Sequence, residues 1–398
     1  MRDKPDLLKE DLPLPVLVLK RSALAHNRRW MRRFLALTGL KIAPHGKTPV
    51  SPEMVRMQMR DGAWGITAAT TAQVRVFRDA GAKRILFANE LAGRANVRSI
   101  VDELNRDPAF DFYCLVDSPE GVAYLASLVR SLGLRRPLQV LLEVGVRGGR
   151  AGCRSIAAAM RTARAVRAAA PTLLLRGVEG YEGAIPHAGD RELAAFYAFM
   201  KSAAVGCEKE GLFAPGPVIL SAGSTACLDR VYAAFKDFRL GRPHVTVVRS
   251  GCYITSDHVA YGRYFDAMLE RMPAFRKLGP KPVPALELWA YVLSVPEPGL
   301  AIVGFGRREC PFDKGLPAAV AALRPGVDRR PRPLGRGHAF TALNDQHAFL
   351  EFPRSRPLRV GDMVCAGISH PCGAFEKWRQ VPVVDDRHRV VSLVHTRF

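Results

Sequence analysis

The chain has 398 residues, 48% hydrophobic and 24% charged, the balance of an ordinary globular protein, which excludes a disordered, collagenous or small disulfide-bonded chain. The length predicts two or three domains, or one large barrel with a smaller partner. Lysine and arginine number 59 against 37 acidic residues, a net charge of +22 spread along the chain. This is read as a solvated basic surface, with nucleic-acid binding as the weaker alternative.

In chain order, the opening MRDKPDLLKEDLP mixes charges and prolines without an apolar h-region. No run of 18 uncharged apolar residues follows, so neither a signal peptide nor a membrane helix is expected, and a cytoplasmic location is. A strand is predicted at Pro15–Leu19 and a helix at about Ala23–Leu37. From about residue 40 to 252 one rhythm recurs: an apolar run rich in Val, Ile and Leu, then roughly 10–18 residues of helical pattern. Strands are predicted at Lys41–Pro44, Trp64–Ala69, Ile85–Asn89, Phe112–Asp117, Leu138–Val144, Leu173–Glu179, Val218–Ser221 and His244–Arg249. These alternating units predict a closed parallel (β/α)8 TIM barrel. Ser51-Pro52-Glu53 reads as a helix start. Helices are expected over 153–169 and 189–211, and Gly81, Gly133 and Gly211 sit where helices end. After about residue 270 the runs become β-type: Ala285–Val295, Leu300–Phe305, Ala348–Phe352, Asp362–Ala366, Gln380–Val384 and Arg389–His395, with Arg324–Gly337 as a basic loop. They predict a second, β-rich C-terminal domain. The eight cysteines include no C-x-x-C pair and predict reduced thiols.

A barrel enzyme builds its site from the C-terminal ends of its strands. The first end carries His45 and Lys47, which strand alternation places on one face. A lysine partly desolvated in a barrel mouth is a nucleophilic amine suited to Schiff-base chemistry. Later ends carry Asn89, Asp117, Arg150, Tyr181 and Glu182. The last two carry the glycine–hydroxyl loops Ser221-Ala222-Gly223-Ser224-Thr225 and Ser250-Gly251-Cys252-Tyr253, the place where many barrels hold a phosphate. A phosphorylated aldehyde cofactor would use both the lysine and the loops. In the β-rich part, Ser369-His370-Pro371-Cys372 puts imidazole and thiolate at i and i+2, able to share one cation if the chain is extended; this pair favours Zn2+. His187 and His258 read as loop histidines rather than ligands.

Together, Ala43-Pro44-His45-Gly46-Lys47-Thr48, Gly65-Ile66-Thr67-Ala68-Ala69-Thr70, Ile85-Leu86-Phe87-Ala88-Asn89-Glu90, Gly148-Gly149-Arg150-Ala151-Gly152 and Ser369-His370-Pro371-Cys372 resemble the D-serine dehydratase and D-threonine aldolase family. These are alanine-racemase-like, fold type III pyridoxal-phosphate enzymes. The flanking Gly373-Ala374-Phe375-Glu376-Lys377-Trp378-Arg379 is similar to a bacterial group called amino acid deaminases. The resemblance implies a homodimer, with a barrel over about 20–268 and a β-rich metal-binding domain over 269–398 that the N-terminal strand (about 1–19) joins, the active site lying between the two domains. It implies that Lys47 forms the Schiff base with pyridoxal 5'-phosphate, that Arg150 lies near the pyridoxal oxygen and Tyr181 close to the cofactor. It also implies that Gly223, Ser224, Thr225, Gly251, Cys252 and Tyr253 hold the phosphate, and that His370 and Cys372 bind the metal. In this family His-x-Cys goes with zinc in the dehydratase branch, and His-x-Asp with manganese or another divalent ion in the aldolase branch.

The expected reaction is elimination of water from a D-β-hydroxy amino acid, with Lys47 and His45 as the catalytic pair; D-serine would give pyruvate and ammonia. The alternative is retro-aldol cleavage to glycine and an aldehyde, with 3-hydroxyaspartate a possible substrate of either reaction. A non-catalytic pyridoxal-phosphate-binding protein is the reading from another class. No nucleic-acid or membrane partner is expected. The basic loop Arg324–Gly337 and His347 are candidates for reading the substrate carboxylate.

Overall fold

A computed structural model describes residues 4–185 and 188–398; His187 lies outside the described residues. Two compact units form, one from Phe34–Lys47 and Val55–Gly251, the other from Met1–Arg33, Thr48–Met54 and Cys252–Phe398.

In the first unit eight parallel strands pair in the order Lys41–Ile42, His244–Val248, Val218–Ser221, Leu173–Gly180, Leu138–Val144, Asp111–Val116, Arg84–Glu90 and Ile66–Ala68. The outer two meet: Thr67 N–H donates to Pro44 O at 2.9 Å and Gly46 N–H to Thr67 O at 2.8 Å. This closes the barrel, and every expected strand is found within a few residues of its apolar run. Leu86, Leu115, Leu141, Ile219 and Val247 fill the interior. Helices cover the outside because each starts and stops on local chemistry. Ser118 accepts the Gly121 N–H ahead of Pro119–Ser131, and Ser155 the Ala158 N–H ahead of Ile156–Ala168. Gly81, Gly133 and Gly211 follow helix ends at φ 93°, 72° and 63°, a left-handed geometry that a side chain resists.

The second unit is built on one antiparallel-rich sheet, ordered Arg332–Pro333, Ala318–Leu323, Met363–Gly367, Leu286–Glu297, Val16–Lys20, Gln380–Val384 and Val390–His395; Leu300–Val303, Ala348–Glu351 and Ala339–Leu343 branch from it. The early strand Val16–Lys20 thus lies between two late ones, antiparallel to Leu286–Glu297 and parallel to Gln380–Val384. Leu7, Val18, Trp289, Met363 and Val384 pack beneath it. Three strands go beyond the sequence reading. Ala318–Leu323 is alanine-rich, a composition that favours helix, but it pairs along Met363–Gly367; sheet contacts override propensity. Ala339–Leu343 is paired by Ala348–Glu351, and Arg332–Pro333 lies inside the expected loop. Among the described residues no helix is long and apolar enough to cross a membrane.

Candidate active site

In the barrel unit the chain leaves the strand Lys41–Ile42 and turns at residues 46–49. Gly46 sits at that turn because a Cβ there would lie 2.3 Å from the Phe77 ring. His45 and Lys47 therefore do not share a strand face; the Lys47 backbone N–H instead donates to His45 Nδ1 at 3.4 Å. Lys47 is exposed rather than desolvated, since the turn lifts it off the barrel wall. Burial, with the charges of Lys47, Arg249 and Arg150, pushes His45 well below its ordinary value, so its ring is neutral and accepts that hydrogen bond.

The two glycine–hydroxyl loops come together. Thr225 Oγ1 and Ser250 Oγ are 2.6 Å apart and buried, and Arg249 N–H donates to Gly223 O at 3.0 Å. Gly223 has φ 104°. A Cβ on Gly251 would stand 2.3 Å from His45 O, so only glycine lets this loop lie against the His45–Lys47 segment. Glu182 is buried beneath, accepting from Tyr197 Oη at 2.8 Å and Ser224 N–H at 3.4 Å. Burial raises its pKa, which favours the uncharged acid beside an anion site. The donor set therefore fits a phosphate: hydroxyls of Ser224, Thr225 and Ser250, and backbone N–H groups before the helix Leu228–Phe235.

Arg150 stands over the Tyr181 ring at 5.6 Å and Arg249 at 6.0 Å. Arg249 is buried, ion-paired with Glu179 and donating to Gly180 O at 3.0 Å; burial lowers its pKa to about 10. Glu143, raised by burial and by the neighbouring Glu90, lies 3.9 Å from Arg150. Sequence reasoning missed Arg249, whose signal is its place immediately before Ser250-Gly251.

In the β-rich unit His370 is extended and Cys372 lies in the first turn of the helix Pro371–Phe375. The i, i+2 pair is thus not on an extended chain; Pro371 starts a helix and turns Cys372 back toward His370. His370 Nδ1 bonds Asp313 Oδ2 at 2.7 Å, leaving Nε2 for a ligand. Hydrogen bonds with Cys372 and the Asp313 carboxylate raise the His370 pKa. Hydrogen bonds from Cys252, then His370 and Thr48, hold the Cys372 thiol well below the usual thiol range against burial. Thr48 Oγ1 lies 3.1 Å from the sulfurs of both Cys252 and Cys372. A soft thiolate beside an oriented imidazole fits zinc, although among the described residues no three His, Cys, Asp or Glu groups form a finished cage. Tyr253 is buried in the same unit. His258 sits in a turn against Gly367, its Nδ1 without a hydrogen-bond partner among the described residues. Arg324 is engaged by Asp362 at 2.8 and 3.0 Å. Asp313 and Thr48 were not singled out from the sequence, because their roles come from long-range contacts.

The barrel and sheet define an alanine-racemase-like fold. Residues 285–384 match the family model described as "Putative serine dehydratase domain". The chain is 27% identical over 319 residues to 3-hydroxy-D-aspartate aldolase of Paracoccus denitrificans, covering 79% of this chain and 77% of that one. Its structure resembles D-threonine aldolase from Filomicrobium marinum (TM-score 0.79, 22% identity, 99% and 97% of the two chains). It also resembles D-threo-3-hydroxyaspartate dehydratase from Delftia sp. HT23 (TM-score 0.74, 19% identity, 99% of each). The family resemblance read from the sequence is borne out.

Proposed function

We propose that this chain is a pyridoxal-phosphate- and zinc-dependent lyase that removes water from D-β-hydroxy amino acids, yielding a keto acid and ammonia. The observation that carries the reading is the Cys372 sulfur hydrogen-bonded to His370, whose Nδ1 is taken by Asp313, in a chain that also presents Lys47 and two joined glycine–hydroxyl loops. Thr48, which contacts Cys372, directly follows Lys47 in the chain.

When bound, pyridoxal phosphate supplies an electron sink for charge at Cα, and the divalent ion supplies Lewis acidity at the β-oxygen. Lys47 would hold the cofactor through Nζ, and the same amine is the group placed to take the Cα proton. His45 stays neutral and orients the turn through the Lys47 N–H. The hydroxyls of Ser224, Thr225 and Ser250 and the backbone at Gly251 would hold the phosphate, and Arg150, over the Tyr181 ring, would lie near the ring oxygen. His370 and Cys372 hold the ion. The family's homodimer is part of the proposal, and a single-chain mass in sedimentation overturns that part.

The dehydratase domain model and the dehydratase fold relative support elimination. Retro-aldol cleavage is the second reading, favoured by the aldolase of Paracoccus denitrificans. D-Serine, D-threonine and the 3-hydroxyaspartate isomers, assayed for keto acid and glycine with and without chelator, separate the two. Keto acid in excess supports elimination, glycine in excess moves the protein to the aldolase reading, and no turnover of any overturns both.

A further inference from the structure

The family resemblance places Cys252 with the phosphate, but the metal reading gives its sulfur no part. It is buried in the short turn Cys252–Ile254, and its Sγ lies 3.6 Å from Cys372 Sγ. Two sulfurs on one tetrahedral zinc, each bonded at ~2.3 Å, stand about 3.8 Å apart, whereas a disulfide requires about 2.05 Å. The observed spacing is therefore close to that of two ligands of one ion. Thr48 Oγ1 is equidistant from both sulfurs and holds them side by side. Cys372 is in turn hydrogen-bonded to His370.

We propose that Cys252 is a third protein ligand, so that the metal held by His370 and Cys372 sits in a two-sulfur, one-imidazole set with a fourth position left for substrate. This rests on the metal reading given above. The contacts run pairwise, Cys252 to Cys372 and Cys372 to His370, so the ion itself completes the set. Three protein ligands and one open position are the layout of a catalytic zinc site. Two sulfur donors also select zinc against manganese or magnesium, which prefer oxygen.

Zinc-edge X-ray absorption on the purified holoenzyme counts the sulfurs. Two per zinc at ~2.3 Å are expected in the native protein and one in Cys252→Ser. The variant should keep the cofactor's visible band and lose more than tenfold in zinc affinity against a competing chelator, at least the loss that follows removal of an outer-shell partner. One sulfur in the native protein overturns the inference and leaves the metal reading standing, and it needs no variant to fold. Two sulfurs that persist in Cys252→Ser overturn it as well. A holoenzyme that neither carries nor takes up zinc overturns both.

Discussion

Around the candidate site of the barrel unit, burial governs three titratable groups. His45 is driven well below its ordinary value chiefly by desolvation, and Glu182 and Glu143 are raised by it. At three groups of the β-rich unit, partners govern instead. Glu287 is also buried, yet His388, Lys20 and Trp289 outweigh burial and hold its carboxyl at about 2; Cys372 is lowered and His370 raised by each other and their neighbours. His258 is the internal control. It lies in the same unit, its Nδ1 has no hydrogen-bond partner among the described residues, and burial takes it to about 4. Hydrogen bonding alone does not separate the two behaviours, since Glu182 accepts from Tyr197 and Ser224 N–H and is still raised; at Glu287 the nearby cationic Lys20 and His388 add the charge that outweighs burial. One centre is suited to neutral groups that exchange protons, the other to fixed charge that grips a cation.

The largest test of this contrast is Lys47→Ala. It should abolish the Schiff-base absorbance at roughly 410–420 nm and cut keto acid release by more than the ~10²–10⁴-fold that loss of a general base costs. Visible spectra and product assays check it; a retained band with turnover removes Lys47 from the chemistry. Cys372→Ala should keep that band but lose the metal, and turnover should fall on the order of 10³-fold as several kcal/mol of Lewis acidity disappear. Metal analysis decides, and full activity after chelation takes the ion out of the mechanism.

Glu287 provides a pH test. Its folded pKa of about 2 lies below the ordinary 4.5, so its contribution is fully present above about pH 4.5 and is lost as pH falls toward 2. The shift corresponds to ~3 kcal/mol. Denaturant midpoints between pH 6 and 2 should show that loss, and Glu287→Gln should flatten it. The smallest effect is Asp313→Asn, which should weaken zinc binding by about 10–100-fold without removing it. Because Asp313 helps to raise His370, zinc affinity in the native protein should climb with pH as His370 loses its proton, and in the variant that climb should begin at lower pH. Zinc titrations at several pH values check both statements.

The barrel was legible because its signals are local: apolar runs, capping serines and the three helix-ending glycines each act within a few residues. The Lys47, glycine-loop and His370–Cys372 motifs were read as candidates from the same kind of local signal. What was not legible depends on distant contacts. Asp313 lies 57 residues from His370 and Thr48 lies 324 from Cys372, and no periodicity reports either. Ala318–Leu323 was lost to its own helix propensity, and the exposure of Lys47 follows from a turn that strand alternation does not anticipate.

The position of Val16–Lys20 between Leu286–Glu297 and Gln380–Val384 bears on how the chain is made. During synthesis the barrel's strands emerge next to their partners and pair as they appear. This early strand emerges before all of them and waits until nearly the whole chain has been translated. Until then its backbone edges are unpaired and its apolar side chains Leu17, Val18 and Leu19 uncovered, an exposed contact for a chaperone or for another nascent chain. Closing the second sheet therefore awaits Gln380–Val384, and His370 and Cys372 are translated only just before that strand.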